Sequence, residues 1–247
     1  MHPYLDTPGP IAFAHRGGNR AAPENTMEAF EHAVSLGYRY LETDVHLTAD
    51  GVLAAFHDAD LTRTCGIERN IAAMSVAEVA DARIDGTHEI PLMEDLFRRF
   101  PDARFNIDAK SEASVEPLAA LVQELDVIDR ICLASFSWRS LARLRKLLGP
   151  RLLTNLSPQE VVGLRVIGRL PHRSPRAAQV PTRSGRLTIV NERFLASAHR
   201  ADIAVHVWTI NDRPEMERLL DLGVDGIMTD DTELLRDVYA ERGLWPD

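Results

Sequence analysis

Two histidines, an arginine, a lysine and three carboxylates stand where short apolar runs end: His15-Arg16-Gly17-Gly18, Glu42-Thr43-Asp44, His57-Asp58 and Asp108-Ala109-Lys110. Residues two apart on a strand point the same way. Glu42 and Asp44 therefore share one face, while Leu41, Thr43 and Val45 take the other. Asp108 and Lys110 repeat the arrangement, with Phe105, Ile107 and Ala109 facing away. Three carboxylates crowded together repel one another unless a cation lies between them. An all-oxygen set suits a hard divalent ion, Mg²⁺ or Ca²⁺, rather than zinc. The carboxylates supply about −3, and a divalent ion with Arg16 and Lys110 about +4, which leaves room for a phosphodiester monoanion. Cutting such a diester means expelling an alkoxide and deprotonating an attacking oxygen. Two imidazoles on opposite sides of phosphorus supply an acid and a base, each worth on the order of 10²–10⁴ in rate. His15 and His57 are the candidate pair, and either can be the base. Arg16 and Lys110 would hold the developing negative charge.

The elements that must bring these groups together are legible as an alternation. Strands are predicted at Ile11–Ala14, Arg39–Val45, Val52–Phe56, Phe105–Ala109, Ile131–Ser135, Arg151–Asn155, Ala178–Val180, Ala204–Trp208 and Gly226–Met228. Helical stripes separate most of them: Met27, Phe30 and Val34; a helix carrying Leu96 after Pro91; Leu141, Leu144 and Leu148; Met216, Leu219 and Leu220. Asn25 is placed to cap the first helix, with Glu28 three residues on and Gly37 at its end. Asp50-Gly51 reads as a hairpin turn between the second and third runs. With one hairpin member set aside, eight strands remain in 247 residues, the rhythm of an α/β fold of the (β/α)₈ TIM-barrel type. A doubly wound sheet lacks a glycine-rich fingerprint here. Residues 1–247 read as a single domain, with an insertion at about 59–104 hung on the barrel mouth. In such a barrel, strand ends collect at one rim. There Trp208 becomes a candidate substrate wall, His206 an inner-barrel residue, and Asp58 a group orienting the His57 loop. His46 shares the parity of Glu42 and Asp44 but lies past the expected strand end. Glu24 reads as a loop brace.

The net charge of −9 argues against a sequence-independent grip on nucleic acid. Cys65 and Cys132 stand alone, without disulfide or zinc spacing. No apolar run is long enough for a membrane span. Met1 to Pro10 lacks a basic stretch followed by an apolar one, so no secretion signal is expected and a cytoplasmic location is the default. The segment 157–186 carries Arg165, Arg169, Arg173, Arg176, Arg183 and Arg186 against Glu160 alone. It reads as a helix with Val161, Leu164 and Ile167 inward, then a basic loop that could touch anionic membranes weakly.

The ordered series HRG, PENT, ExD, HD, a carboxylate-x-Lys strand, VHVWTIND and GVDGIMTD, from about Ile11 to Leu235, resembles the glycerophosphodiester phosphodiesterase family. The resemblance implies a (β/α)₈ barrel with a short insertion, and hydrolysis of glycerophosphodiesters to glycerol 3-phosphate and an alcohol. It implies Ca²⁺ or Mg²⁺ as cofactor. Catalytic histidines would be His15 and His57, metal ligands Glu42, Asp44 and Asp108, and phosphate contacts Arg16 and Lys110. In many members a neighbouring glycerol hydroxyl attacks first, giving a cyclic phosphate that water opens. Asp108 departs from the usual Glu, and the shorter side chain bears on the metal more than on the reaction class. Lysophospholipase D-like activity and a non-catalytic phosphometabolite-binding module are the alternatives.

Overall fold

The computed structural model describes residues 2–168, 170 and 176–245. The chain opens with β1 (Ile11–Ala14) and α1 (Met27–Ser35), then the hairpin β2 (Tyr40–Leu47) and β3 (Leu53–Ala55). An excursion follows: β4 (Asp60–Leu61), α2 (Thr62–Cys65), β5 (Ile67–Asn70) and α3 (Val76–Asp81). Regular alternation then resumes with α4 (Met93–Arg99), β6 (Arg104–Ala109), α5 (Val115–Glu124), β7 (Ile131–Ala134), α6 (Trp138–Leu148), β8 (Leu153–Asn155) and α7 (Pro158–Ile167). Next come β9 (Arg176–Pro181), the small hairpin β10 (Arg183–Ser184) and β11 (Leu187–Thr188), and α8 (Glu192–Arg200). The chain closes with β12 (Ala204–Trp208), α9 (Arg213–Leu222), β13 (Gly226–Thr229) and α10 (Thr232–Glu241).

The strands β1, β2, β6, β7, β8, β9, β12 and β13 form a parallel cylinder, closed because β1 pairs with both β2 and β13. This is the expected (β/α)₈ barrel. β3 pairs antiparallel with the last residues of β2, Val45 to Leu47, with Gly51 at φ +85° in the connecting turn. Alternation sorts each strand. Phe105, Ile107 and Ala109 of β6 join the outer core beneath the helices, whereas Asn106 and Asp108 face the bore. Val115, Leu118, Ala119 and Val122 of α5 are buried at three-to-four spacing, as a helix lying on a sheet requires. At the amino-terminal end of the bore, Tyr4 packs edge-on against Tyr40 with centroids 5.1 Å apart. Tyr40 Oη donates to the Tyr4 carbonyl at 2.6 Å.

A satellite core of Ala54, Phe56, Leu61, Ile71, Met74 and Val79, with neighbours up to Ile90, holds the excursion together. α4 instead buries Met93, Leu96 and Phe97 in the main core, as one of the barrel's own helices.

Several local expectations are corrected. Thr26, not Asn25, caps α1: its hydroxyl accepts from Ala29 N–H. Asn25 takes φ +55°, outside the extended region a cap needs, and turns its amide toward β2. β2 runs on to Leu47, so His46 lies inside the strand rather than past it. Ile167 points out of α7 and is 67% exposed, whereas Leu164 is buried. Two successive steps of three residues drift about 120° around a helix of 3.6 residues per turn, which carries Ile167 off the face Leu164 buries.

Candidate active site

The first strand ends in a tight turn whose shape depends on two glycines. Arg16, Gly17 and Gly18 all take positive φ, at 54°, 80° and 92°. A Cβ on Gly17 would stand 2.9 Å from the backbone of Ala29 and Phe30 in α1, and one on Gly18 2.9 Å from Thr232 Cγ2 of α10. The turn is thus wedged between two helix starts. There it aims the Arg16 amide at Glu42 Oε2, 3.0 Å away.

His15 is held from behind. Its Nδ1 lies 2.6 Å from Asp230 Oδ1, just past β13. Asp230 Oδ2 accepts from Asn211 Nδ2 at 2.8 Å, and Asn211 Oδ1 accepts from the Asp230 amide at 2.9 Å. The other ring nitrogen, Nε2, faces Glu42 Oε2 at 3.8 Å. Burial disfavours the charged ring, but the Glu42 charge and the Asp230 hydrogen bond outweigh it and raise the His15 pKa. His57 repeats the pattern: its Nδ1 lies 2.6 Å from Asp58 Oδ1. Arg63 of α2 donates to Asp58 Oδ2 and to Glu24 Oε1, both at 2.6 Å. His46 Nε2 donates to the His57 carbonyl at 3.0 Å, so His46 steadies the loop.

The carboxylates and cations interlock. Lys110 Nζ sits 2.7 Å from Asp44 Oδ1 and 2.8 Å from Asp108 Oδ2. Arg16 Nε lies 3.2 Å from Asp44 Oδ2, and its NH1 donates to Glu24 at 2.9 Å. Burial would raise the Asp44 pKa, but the Lys110 and Arg16 charges outweigh it and lower it. Burial and the neighbouring Asp44 charge push Glu42 up to about 7. Burial also raises Asp108, against the pull of Lys110. On the far side of the mouth, the Trp208 ring meets Phe136 edge-on, with centroids 6.1 Å apart.

The site thus brings together His15, Arg16, Glu42, Asp44, His57, Asp108 and Lys110 through shared or neighbouring contacts, with Trp208 at the same rim. The donor set fits a hard divalent cation in its chemistry. Its oxygens carry more negative charge than Arg16 and Lys110 neutralise, as Glu42 records, and buried Asp108 Oδ1 has no hydrogen-bond partner among the described residues. As the side chains stand, Lys110 occupies the space between Asp44 and Asp108, and among the described residues no three His, Cys, Asp or Glu groups are gathered tightly enough to hold an ion.

The sequence profile of the glycerophosphoryl diester phosphodiesterase family matches residues 15–234. The chain belongs to that family. A curated member from Mycobacterium tuberculosis, a probable glycerophosphodiester phosphodiesterase, is 34% identical, covering 98% of this chain and 95% of the relative. A lysophospholipase D from Rattus norvegicus is 26% identical over 88% of this chain and 82% of its own. Among solved structures, a glycerophosphoryl diester phosphodiesterase from Silicibacter pomeroyi superposes with a TM-score of 0.81 at 24% identity, covering 98% of both chains. A phosphodiesterase from Oleispira antarctica, solved with its product sn-glycerol-3-phosphate, gives 0.77 at 21% identity, covering 94% of this chain and 97% of that one. Both share the barrel fold of this family member.

Asp230, Asn211, Arg63 and Phe136 were not singled out from the sequence. Asp230 and Asn211 had a signal: they stand in the two late motifs, GVDGIMTD and WTIND. Phe136, in the stretch Ser135-Phe136-Ser137-Trp138, had none.

Proposed function

We infer that the chain hydrolyses glycerophosphodiesters to glycerol 3-phosphate and an alcohol, with His15 and His57 as the proton-transfer pair. One observation carries the reading. Each histidine has an aspartate 2.6 Å from Nδ1, and both stand beside one cluster of carboxylates, Arg16 and Lys110. A carboxylate at that distance keeps the proton on Nδ1 and leaves Nε2 to meet the substrate. One Nε2 takes the proton of the attacking glycerol hydroxyl, and the other gives one to the departing alkoxide. Water then opens the cyclic phosphate with the two roles exchanged, which yields glycerol 3-phosphate. Arg16 and Lys110 supply positive charge for the phosphoryl oxygens, and their present carboxylate partners keep them oriented. When bound by Glu42, Asp44 and Asp108, Mg²⁺ or Ca²⁺ would neutralise charge at the phosphate. Trp208 and Phe136 form the apolar wall opposite.

Phe136 also favours a second reading. It is 64% exposed beside Trp208, an apolar ledge on which the chain of a lysolipid could lie, as a lysophospholipase D-like activity needs. A panel of glycerophosphocholine and long-chain lysophosphatidylcholine, each with Mg²⁺, Ca²⁺ or chelator, separates the readings. Release of glycerol 3-phosphate from glycerophosphocholine, lost with chelator and reduced about 10²–10⁴-fold in His15→Ala and His57→Ala, is expected. Turnover of lysolipid alone would favour the second activity. Binding of glycerophosphocholine without turnover under either ion would sink the enzymatic reading.

A further inference from the structure

The arginines between 157 and 186 do not form one surface. Arg176 is buried in β9, 3.1 Å from Glu160, which Arg145 also holds. Arg165 donates to the Ile189 carbonyl. Arg169 and Arg173 lie outside the described residues, as does His172. Arg183 and Arg186 remain, both exposed on the β10–β11 hairpin that follows β9. Helix-returning connections put every loop after a barrel strand on the same face, so this hairpin stands at the mouth that holds His15 and His57.

That sector of the rim carries a second signal. The loop after β7 presents Phe136 and the start of α6 presents Trp138, 64% and 54% exposed, and the hairpin presents Leu187 at 52%. Both aromatic side chains among the exposed large apolar residues described are therefore here. Arg139 lies over the Trp138 ring at 5.8 Å. Phe136 reaches Trp208 at the end of β12, and β12 pairs with β9 through Trp208 and Pro181, just before the hairpin. The four strands run in the order β7-β8-β9-β12, so the loops that carry these residues share one arc of the rim. Arg139, Arg183 and Arg186 form no ion pair among the described residues. Of the acids nearby, Glu160 is held by Arg145 and Arg176, Glu192 lies in the first turn of α8, and Asp212 accepts from the Glu215 amide as the cap of α9.

We propose that this arc docks the enzyme on an anionic lipid bilayer with the active-site mouth facing the membrane. Aromatic rings suit the headgroup level, where one end of a side chain is apolar and the other wet. Three arginines without acidic partners on a chain of net charge −9 are the complement of anionic phosphates. A bilayer held there would present lipid-borne phosphodiesters headgroup-first to His15 and His57. The proposal stands apart from the hydrolase reading, because vesicle sedimentation measures binding and not turnover.

The test uses the whole protein with vesicles of phosphatidylcholine alone or mixed with phosphatidylglycerol. Sedimentation with the anionic vesicles at low salt, weakened at moderate salt and absent with phosphatidylcholine alone, is expected. Neutralising two arginines in the double variant Arg183→Gln/Arg186→Gln should lower the partition coefficient roughly 20- to 30-fold. Trp138→Ala should lower it further. Both variants should keep full hydrolysis of dissolved glycerophosphocholine and an unchanged circular dichroism spectrum. Absence of sedimentation at low salt, equal binding to both vesicle types, or undiminished binding by the double variant would overturn the proposal. So would binding to a single-stranded oligonucleotide with none to vesicles.

Discussion

An aspartate 2.6 Å from Nδ1 decides which nitrogen of an imidazole is free to work, and Asp230 does this for His15 while also raising its affinity for a proton. Asp230→Asn keeps the shape and removes the charge. Its amide can donate to Nδ1 as readily as accept from it, so the wrong tautomer becomes available, and kcat should fall about 10²-fold or more. The sign of the accompanying pH effect follows from the charges. Burial lowers the His15 pKa, while Glu42 and Asp230 raise it, so losing Asp230 lowers it. The limb of the pH–rate profile that belongs to His15 should move to lower pH; a limb that stays in place would show that Asp230 does not act on His15. The sequence announced His15 through its neighbours Arg16-Gly17-Gly18, as it announced Glu42 with Asp44 and Asp108 with Lys110 through their spacing. Asp230 is separated from His15 by 215 residues and meets it only because β13 closes on β1, a contact that no local pattern encodes.

The connection between strand and helix is where the site's precision is set. Gly17 lets the chain pass with φ at 80° against the start of α1, and the same turn fixes His15 behind and the Arg16 amide in front. In Gly17→Ala the new methyl would meet helix backbone at 2.9 Å, not the yielding tip of a side chain. Left-handed backbone costs a non-glycine residue about 1–2 kcal/mol, and overpacking adds about 1–3 kcal/mol. Denaturant unfolding should show a loss of roughly 2–5 kcal/mol together with a fall in kcat/KM; a variant as stable and active as the parent would contradict the wedge. Strand and helix positions were legible because their periods of two and of three to four residues are local. Ends were less so. β9 includes Arg176, two residues before the predicted start at Ala178, because the Glu160 carboxylate makes an arginine tolerable inside the sheet. β2 continues through His46 because that ring finds the His57 carbonyl. In both cases a partner distant in sequence overrides local polarity.

At the scale of the molecule, eightfold alternation is enough to specify a closed barrel, and closure creates a bore whose contents the strand pattern can name but not weigh. His206 is an example: parity placed it inside, and the structure shows how far. It is wholly buried, packed against Phe13 with centroids 4.8 Å apart and against Gly226, where a Cβ would stand 3.0 Å from its ring. Neither ring nitrogen has a hydrogen-bond partner among the described residues, and burial drives its pKa down to about 4. The folded chain therefore holds His206 neutral, while the unfolded chain protonates it near pH 6.5. Above that value both states carry the same number of protons, and the group adds no pH dependence. Between about pH 6.5 and 4 the unfolded state binds the extra proton, so stability falls as pH falls. Over the whole window the loss is about 3 kcal/mol. His206→Leu fills the bore with a side chain that cannot titrate. Its absolute stability at neutral pH reflects packing as well, so the discriminating quantity is the change between pH 7 and pH 4.5, followed by denaturant midpoints. The parent should lose stability more steeply than the variant by roughly 2–3 kcal/mol; parallel curves would mean that the imidazole takes up a proton in the folded barrel.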